Sequence, residues 1–95
     1  MAYEQLVFRV HALQRMFRRG ISEADVKQVL ETGEAIEDYP EDRPYPSRLI
    51  LGFTAGHPIQ IVVADNHQAQ ETIVIIVYEP DPKRWDATFR RRRAQ

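Results

Sequence analysis

Apolar positions along this chain follow two different periods. Between residues 47 and 79 they alternate with polar ones, which is the period of strands laid on a core. Ser47–Thr54 carries Leu49, Leu51 and Phe53 on one face. Pro58–Ala64 carries Ile59, Ile61 and Val63 on one face and Gln60, Val62 and Ala64 on the other, with Ala55-Gly56 as the turn between the two segments. Thr72–Glu79 holds Ile73 through Val77 without a polar break, so it predicts an interior strand buried on both faces. Leu6-Val7-Phe8 is either a strand flanking that one or the first turn of a helix. Glu34–Tyr39 is a weaker strand candidate. Pro40, Pro44 and Pro46 bracket an acidic loop after it. The connections are short, so sequential strands are expected to pair as an antiparallel meander.

Helical spacing appears in two adjoining stretches near the N-terminus. In the first, Val10, Leu13, Met16 and Phe17 form the apolar stripe expected to be buried, and Gly20 ends the helix. In the second, Ser22 and Asp25 form a capping box, Ile21 and Val26 a hydrophobic staple, and Gly33 is the stop. Val26, Val29 and Leu30 are its buried stripe. The pair predicts a tight helical hairpin. Near the C-terminus, Asp81-Pro82 is placed as N-cap and first residue of a last helix, with Trp85 and Phe89 four apart on its inner side. The expected fold class is therefore α+β, one domain over residues 1–95. Its N-terminal helical hairpin packs on a three- to four-stranded antiparallel sheet closed by a C-terminal helix.

Charge is distributed unevenly on a chain whose formal net charge is only -1. Residues 1–20 carry Arg9, Arg15, Arg18 and Arg19 against Glu4 alone, and residues 79–95 are also basic, whereas the middle is acidic. If the chain ends meet, they form one basic surface suited to nucleic acid or an acidic partner, with Arg15 or Arg19 close to the helix beginning near Asp81. There are no cysteines, so thiolate chemistry and disulfides are excluded. No apolar run reaches the length of a membrane span, and the N-terminus has no secretory pattern. The expectation is a cytoplasmic protein with no membrane association.

Three groups of residues carry candidate chemistry. His11, Arg15 and Arg19 lie at offsets of four and eight and so share a helix side with Arg18. An imidazole among guanidinium groups suits a phosphodiester: histidine can move the proton, and arginine can stabilise charge on the phosphorane. The alternative is a histidine packed on the sheet and arginines paired with the acidic loop. Tyr78, at the end of the buried strand, can donate a proton or stack on a base, or be a core tyrosine with its hydroxyl at the rim. Arg48, at the start of a strand, can reach the same region. Trp85, Phe89 and the run Arg90, Arg91, Arg92 and Arg93 either bind single-stranded nucleic acid or form a helix whose aromatics are core and whose arginines complement its dipole. No two histidines have metal-pair spacing, so no metal or cofactor is expected. Glycine-rich phosphate loops and G-x-S-x-G are absent.

The sequence resembles a family throughout most of its length. His11-Ala12, Arg15-Met16 and Arg19-Gly20-Ile21 look like the H-A-x-x-R-M-x-x-R-G-I opening of small bacterial proteins in the domain-of-unknown-function family numbered forty-two fifty-eight. Pro46-Ser47 through Leu51-Gly52 match its middle. Tyr78, Pro80-Asp81, Trp85, Phe89 and Arg91-Arg92 match its closing Y-x-P-D…W…F-x-R-R. Family members commonly read P-L-H-V-V where this chain has Pro58-Ile59-Gln60-Ile61-Val62, so Gln60 stands in place of a histidine. The family is loosely similar to RelE-like and barnase-like toxin ribonucleases of toxin–antitoxin pairs. That resemblance implies a small α+β domain and an RNA-cleaving site. Taken with the residues above, the expectation is a metal-independent endoribonuclease with His11, Arg15 and Tyr78 as catalytic residues. Arg19, Arg48, Arg90, Arg91 and Arg92 would bind the RNA, and a small antitoxin-like protein would be the partner. The alternative is a non-catalytic module that binds RNA or an acidic protein, which the Gln60 substitution favours.

Overall fold

The computed structural model describes residues 5–94. Its centre is a five-stranded mixed sheet in the order β1-β5-β4-β3-β2, formed by β1 (Gln5–Phe8), β2 (Glu34–Tyr39), β3 (Ser47–Thr54), β4 (His57–Asn66) and β5 (Glu71–Tyr78). Strands β2 to β5 form the antiparallel meander that the short connections require. β1 instead runs parallel to β5, with Gln5 opposite Glu71 and Phe8 opposite Val74. This strand makes the sheet mixed and overturns the expected purely antiparallel sheet of three or four strands. The physical reason is the connection: α1 (Val10–Arg19), α2 (Glu23–Thr32) and three more strands separate β1 from β5, long enough for a parallel return.

Both helices lie on one face of the sheet. There Ala12, Met16, Val26, Val29 and Leu30 meet Ile50 of β3, Ile59, Ile61 and Val63 of β4, and Val74 and Val77 of β5. The expected tight hairpin does not form, because α1 packs on β5 and α2 on β3, side by side over the sheet. α2 begins as its sequence requires: Ser22 Oγ accepts from the Asp25 N–H, and Asp25 Oδ2 accepts from the Ser22 N–H. α2 settles directly over Gly52, where an added Cβ would lie 2.9 Å from Val29 Cγ1. α1 ends on Gly20 at φ 67°, the left-handed turn that glycine adopts without steric cost.

The side of α1 that reaches the sheet also differs from expectation. Of Val10, Leu13, Met16 and Phe17, only Met16 is buried, and it is joined by Ala12. The Arg9 N–H, just before the helix, donates to Val74 O and ties the start of α1 to β5. Only Ala12 and Met16 then point at β5, and alanine lets the backbone approach closely.

The expected C-terminal helix is absent. Asp81 does start a turn, with Oδ1 accepting from the Lys83 N–H and its carbonyl accepting from the N–H groups of Arg84 and Trp85. Asp86 then competes with helix continuation. Its Oδ1 accepts from the Thr88 N–H, the Thr88 hydroxyl and the Arg90 N–H, and Phe89 adopts φ 61°. Trp85 and Arg92 come together in an antiparallel bridge. The result is an irregular strap, residues 80–94, crossing the sheet face opposite the helices. Gln60 Nε2 donates to Phe89 O at 2.9 Å, which ties the strap to the middle of that face. Trp85 is 3% exposed, although no helix carries it.

Candidate functional site

Two β-bulges decide which side chains share the strap face. One skips Ile36 between the pairs Ala35–Ile50 and Glu37–Leu49. Because directly opposed residues share a face, Glu34, Glu37 and Tyr39 all stand beside Leu51, Leu49 and Ser47, away from the helices. The other skips Ile75, so that Tyr78 opposes Gln60 and Ile76 opposes Val62 on the strap face, while Val74 and Val77 both point to the helices.

On this face the basic C-terminus meets carboxylates. Arg90 Nε donates to Glu34 Oε1 at 2.6 Å, and Arg92 donates to Glu37 Oε1 at 3.3 Å. The Arg92 guanidinium also lies 4.6 Å from the Trp85 ring centroid, a cation–π contact. The Tyr39 hydroxyl donates to Glu37 Oε1 at 2.5 Å. Burial, then the hydrogen bond to the Glu37 carboxylate, pushes the Tyr39 phenol up to about 12. Burial also raises the Tyr78 phenol, opposed by the nearby Arg92 charge. Gln60 is fully buried, and its Oε1 has no hydrogen-bond partner.

α1 presents a different environment. His11, Gln14, Arg15 and Arg18 occupy one side of it, at offsets of three, four and seven. They line a groove of about 450 Å³ against Ile75, Ile76 and Val77. The groove exists because β1 follows β5 only as far as Val74, so no described strand lies along the rest of that edge. Among the described residues, Arg9, Arg15, Arg18 and Arg19 pair with no carboxylate. Glu4, the acidic residue of this end, lies outside the described residues. Arg48 has a third setting: it pairs with Asp65 and lines a separate recess of about 380 Å³ with Ser47 and His67.

The structure thus brings His11, Arg15 and Arg18 together at one groove. Arg19 lies on the same helix but does not line it. Tyr78 and Arg92 stand on the strap face with Arg90, and Arg91 is exposed in the strap. The expected single basic surface does not form, because α1 and the strap occupy opposite faces of the sheet. Tyr39 was missed as a member of this charged cluster, and the side of the sheet on which Glu37 stands was not legible. Alternation alone puts Glu37 on the helix side; the Ile36 bulge, which carries no strong sequence signal, reverses it. Among the described residues no three His, Asp or Glu side chains gather as a metal site, and no helix is long and apolar enough to cross a membrane.

The architecture defines an α+β domain: a mixed sheet with two helices on one face, a C-terminal strap on the other, and a basic helix beside the open end of β5. The chain belongs to the family described as Domain of unknown function (DUF4258), whose model matches residues 8–79. The matched region runs from the end of β1 through β5 and stops before the strap. No curated protein and no solved structure matches the chain.

Proposed function

We propose that this protein binds single-stranded RNA by its phosphates along the groove between α1 and the end of β5. One observation carries the reading: the α1 arginines face solvent without an acidic partner among the described residues, while Arg48, Arg90 and Arg92 are each paired within the fold. Unpaired guanidinium groups lose no internal contact when they take up phosphate, and phosphate uptake releases counterions from the nucleic acid. The apolar wall of Ile75–Val77 offers a surface for sugar and base edges beside the cations. Fluorescence anisotropy with a short labelled single-stranded RNA tests this. Affinity should fall steeply with salt, and Arg15→Ala should reduce both affinity and the salt slope by about one counterion, equally for every sequence. Absence of binding at low salt would remove the RNA reading.

A second reading, endonucleolytic cleavage, is favoured by His11 in the same groove. Its imidazole would take the 2′-hydroxyl proton as that oxygen attacks phosphorus. The P–O5′ bond would break, with the leaving oxygen taking a proton from water, and Arg15 and Arg18 would stabilise the phosphorane. Product analysis on denaturing gels separates the two readings. Cleavage by the wild type that His11→Ala abolishes, with RNA binding nearly intact, supports the enzyme. Binding without cleavage makes the protein a binding module. Growth arrest on induced expression, relieved by His11→Ala and by Arg15→Ala, would agree with the enzyme.

A further inference from the structure

α1 has a third side that neither the sheet nor the groove uses. Val10, Leu13 and Phe17 are 66%, 44% and 89% exposed. Their spacing of three and four makes them one apolar ridge. Sheet packing occupies Ala12 and Met16, and the groove takes His11, Gln14, Arg15 and Arg18. A helix needing nothing beyond its own sheet would carry polar residues along such a ridge, and a phenylalanine this open marks a contact surface.

Charge selects the occupant. Around the helix, the ridge adjoins the row that contains Gln14 and Arg18, and no carboxylate lies anywhere on α1. A second copy docking α1 on α1 would set these arginines against their like. RNA would satisfy the arginines but leave the aliphatic Val10 and Leu13 unmatched. Three side chains on a ten-residue helix also offer little apolar area for holding a lipid surface. Apolar anchors at helical spacing, edged by carboxylates, satisfy both features together.

We propose that the Val10–Leu13–Phe17 ridge is the docking surface for an acidic, amphipathic helix of a partner protein. Its apolar residues seat on the ridge, and its flanking carboxylates meet Arg18 and, further round, Arg15. Docked there, the partner lies beside the groove and competes with phosphate for the same cations. The surface stands on the exposure of the ridge and does not depend on RNA binding.

Synthetic helical peptides test it against the full chain by fluorescence anisotropy. One carries leucines at helical spacing flanked by glutamates, a second has lysines in place of the glutamates, and a third is a scramble of the first. The glutamate peptide should bind at least about tenfold more tightly than either control, more weakly as salt rises, and at least about tenfold more weakly to Phe17→Asp or Leu13→Asp. Both positions are exposed, and circular dichroism confirms that the variants fold. Equal binding of the acidic peptide and its scramble, or no effect of Phe17→Asp, would overturn the proposal. Sedimentation equilibrium of the protein alone should show a monomer; a dimer that Phe17→Asp dissolves would assign the ridge to a second copy and overturn it. Adsorption to phosphatidylserine vesicles that Phe17→Asp abolishes, without peptide binding, would assign it to a membrane and overturn it as well.

Discussion

The arginines of α1 and those of the strap are alike in type but not in situation. Arg90 and Arg92 reach across to Glu34 and Glu37 of β2, and Arg92 covers the Trp85 ring. Arg15 and Arg18 border an open groove with no carboxylate in reach among the described residues. The first pair hold a terminal segment to a sheet; the second pair are available to a ligand. Charge totals cannot separate these roles, since both chain ends are basic. What separates them is which face of the sheet each end crosses and whether β2 has carboxylates on that face.

The comparison breaks most decisively at Trp85. Its ring anchors the strap, and truncation of a buried aromatic costs about 3–5 kcal/mol. Urea melts of Trp85→Ala should show a loss of that size. A loss below about 1 kcal/mol would mean that the strap contributes little to the fold. Next comes the contrast in arginines. Arg92→Ala removes a cation–π contact and an ion pair and should cost about 1 kcal/mol, with RNA affinity little changed. Arg15→Ala should leave stability within about 0.5 kcal/mol while weakening RNA binding. Equal effects of the two variants on both measurements would erase the distinction between the two ends.

The smallest expected effect concerns pH. Burial of Asp65 opposes ionisation, but hydrogen bonds and charge from Arg48, with the Thr72 hydroxyl, outweigh it and hold the carboxyl below its usual range. A depressed folded-state pKa contributes stability that is present above the unfolded value, about 3.9, and is lost as pH falls through the folded value. Stability measured from pH 6 downward should therefore decline through and below about pH 4, and Asp65→Asn should flatten part of that decline. An unchanged acid limb in the variant would show that this pair is not coupled to folding.

Much of the fold was legible in the sequence where local chemistry and burial agree. Alternation in 47–54 and 58–64 identified β3 and β4 and grouped the residues that share a face, though not which face meets the helices, and the uninterrupted Ile73–Val77 run identified an interior strand. The Ser22–Asp25 box and Gly20 fixed the helix ends. The C-terminal helix was misread because Asp81-Pro82 is a genuine start signal, while the stop lies in side-chain bonds from Asp86 that mimic backbone partners. The buried side of α1 was misread because its orientation depends on where Arg9 is tethered to β5, not on the sum of its apolar residues. At the site, helical offsets alone grouped His11, Arg15 and Arg18. Separating them from Tyr78 and Arg92 required knowing that the strap and α1 lie on opposite faces, which is topology and has no local signature.

The parallel pairing of β1 with β5 has a consequence in time. Gln5 of β1 meets Glu71 of β5, so every residue between them must exist before the sheet can be completed. α1 packs on β5 as well, through Ala12 and Met16, and its first residues follow β1 directly. While the chain is being made, at about 5–20 residues per second, the N-terminal strand and the inner side of α1 have no surface to settle on. Closing so large a loop is also slow compared with forming the β2–β5 hairpins. The meander is therefore expected to assemble first. The basic helix takes up its place beside β5 as a late event, so the groove, whose other wall is Ile75–Val77, comes into being only after β5 has been made.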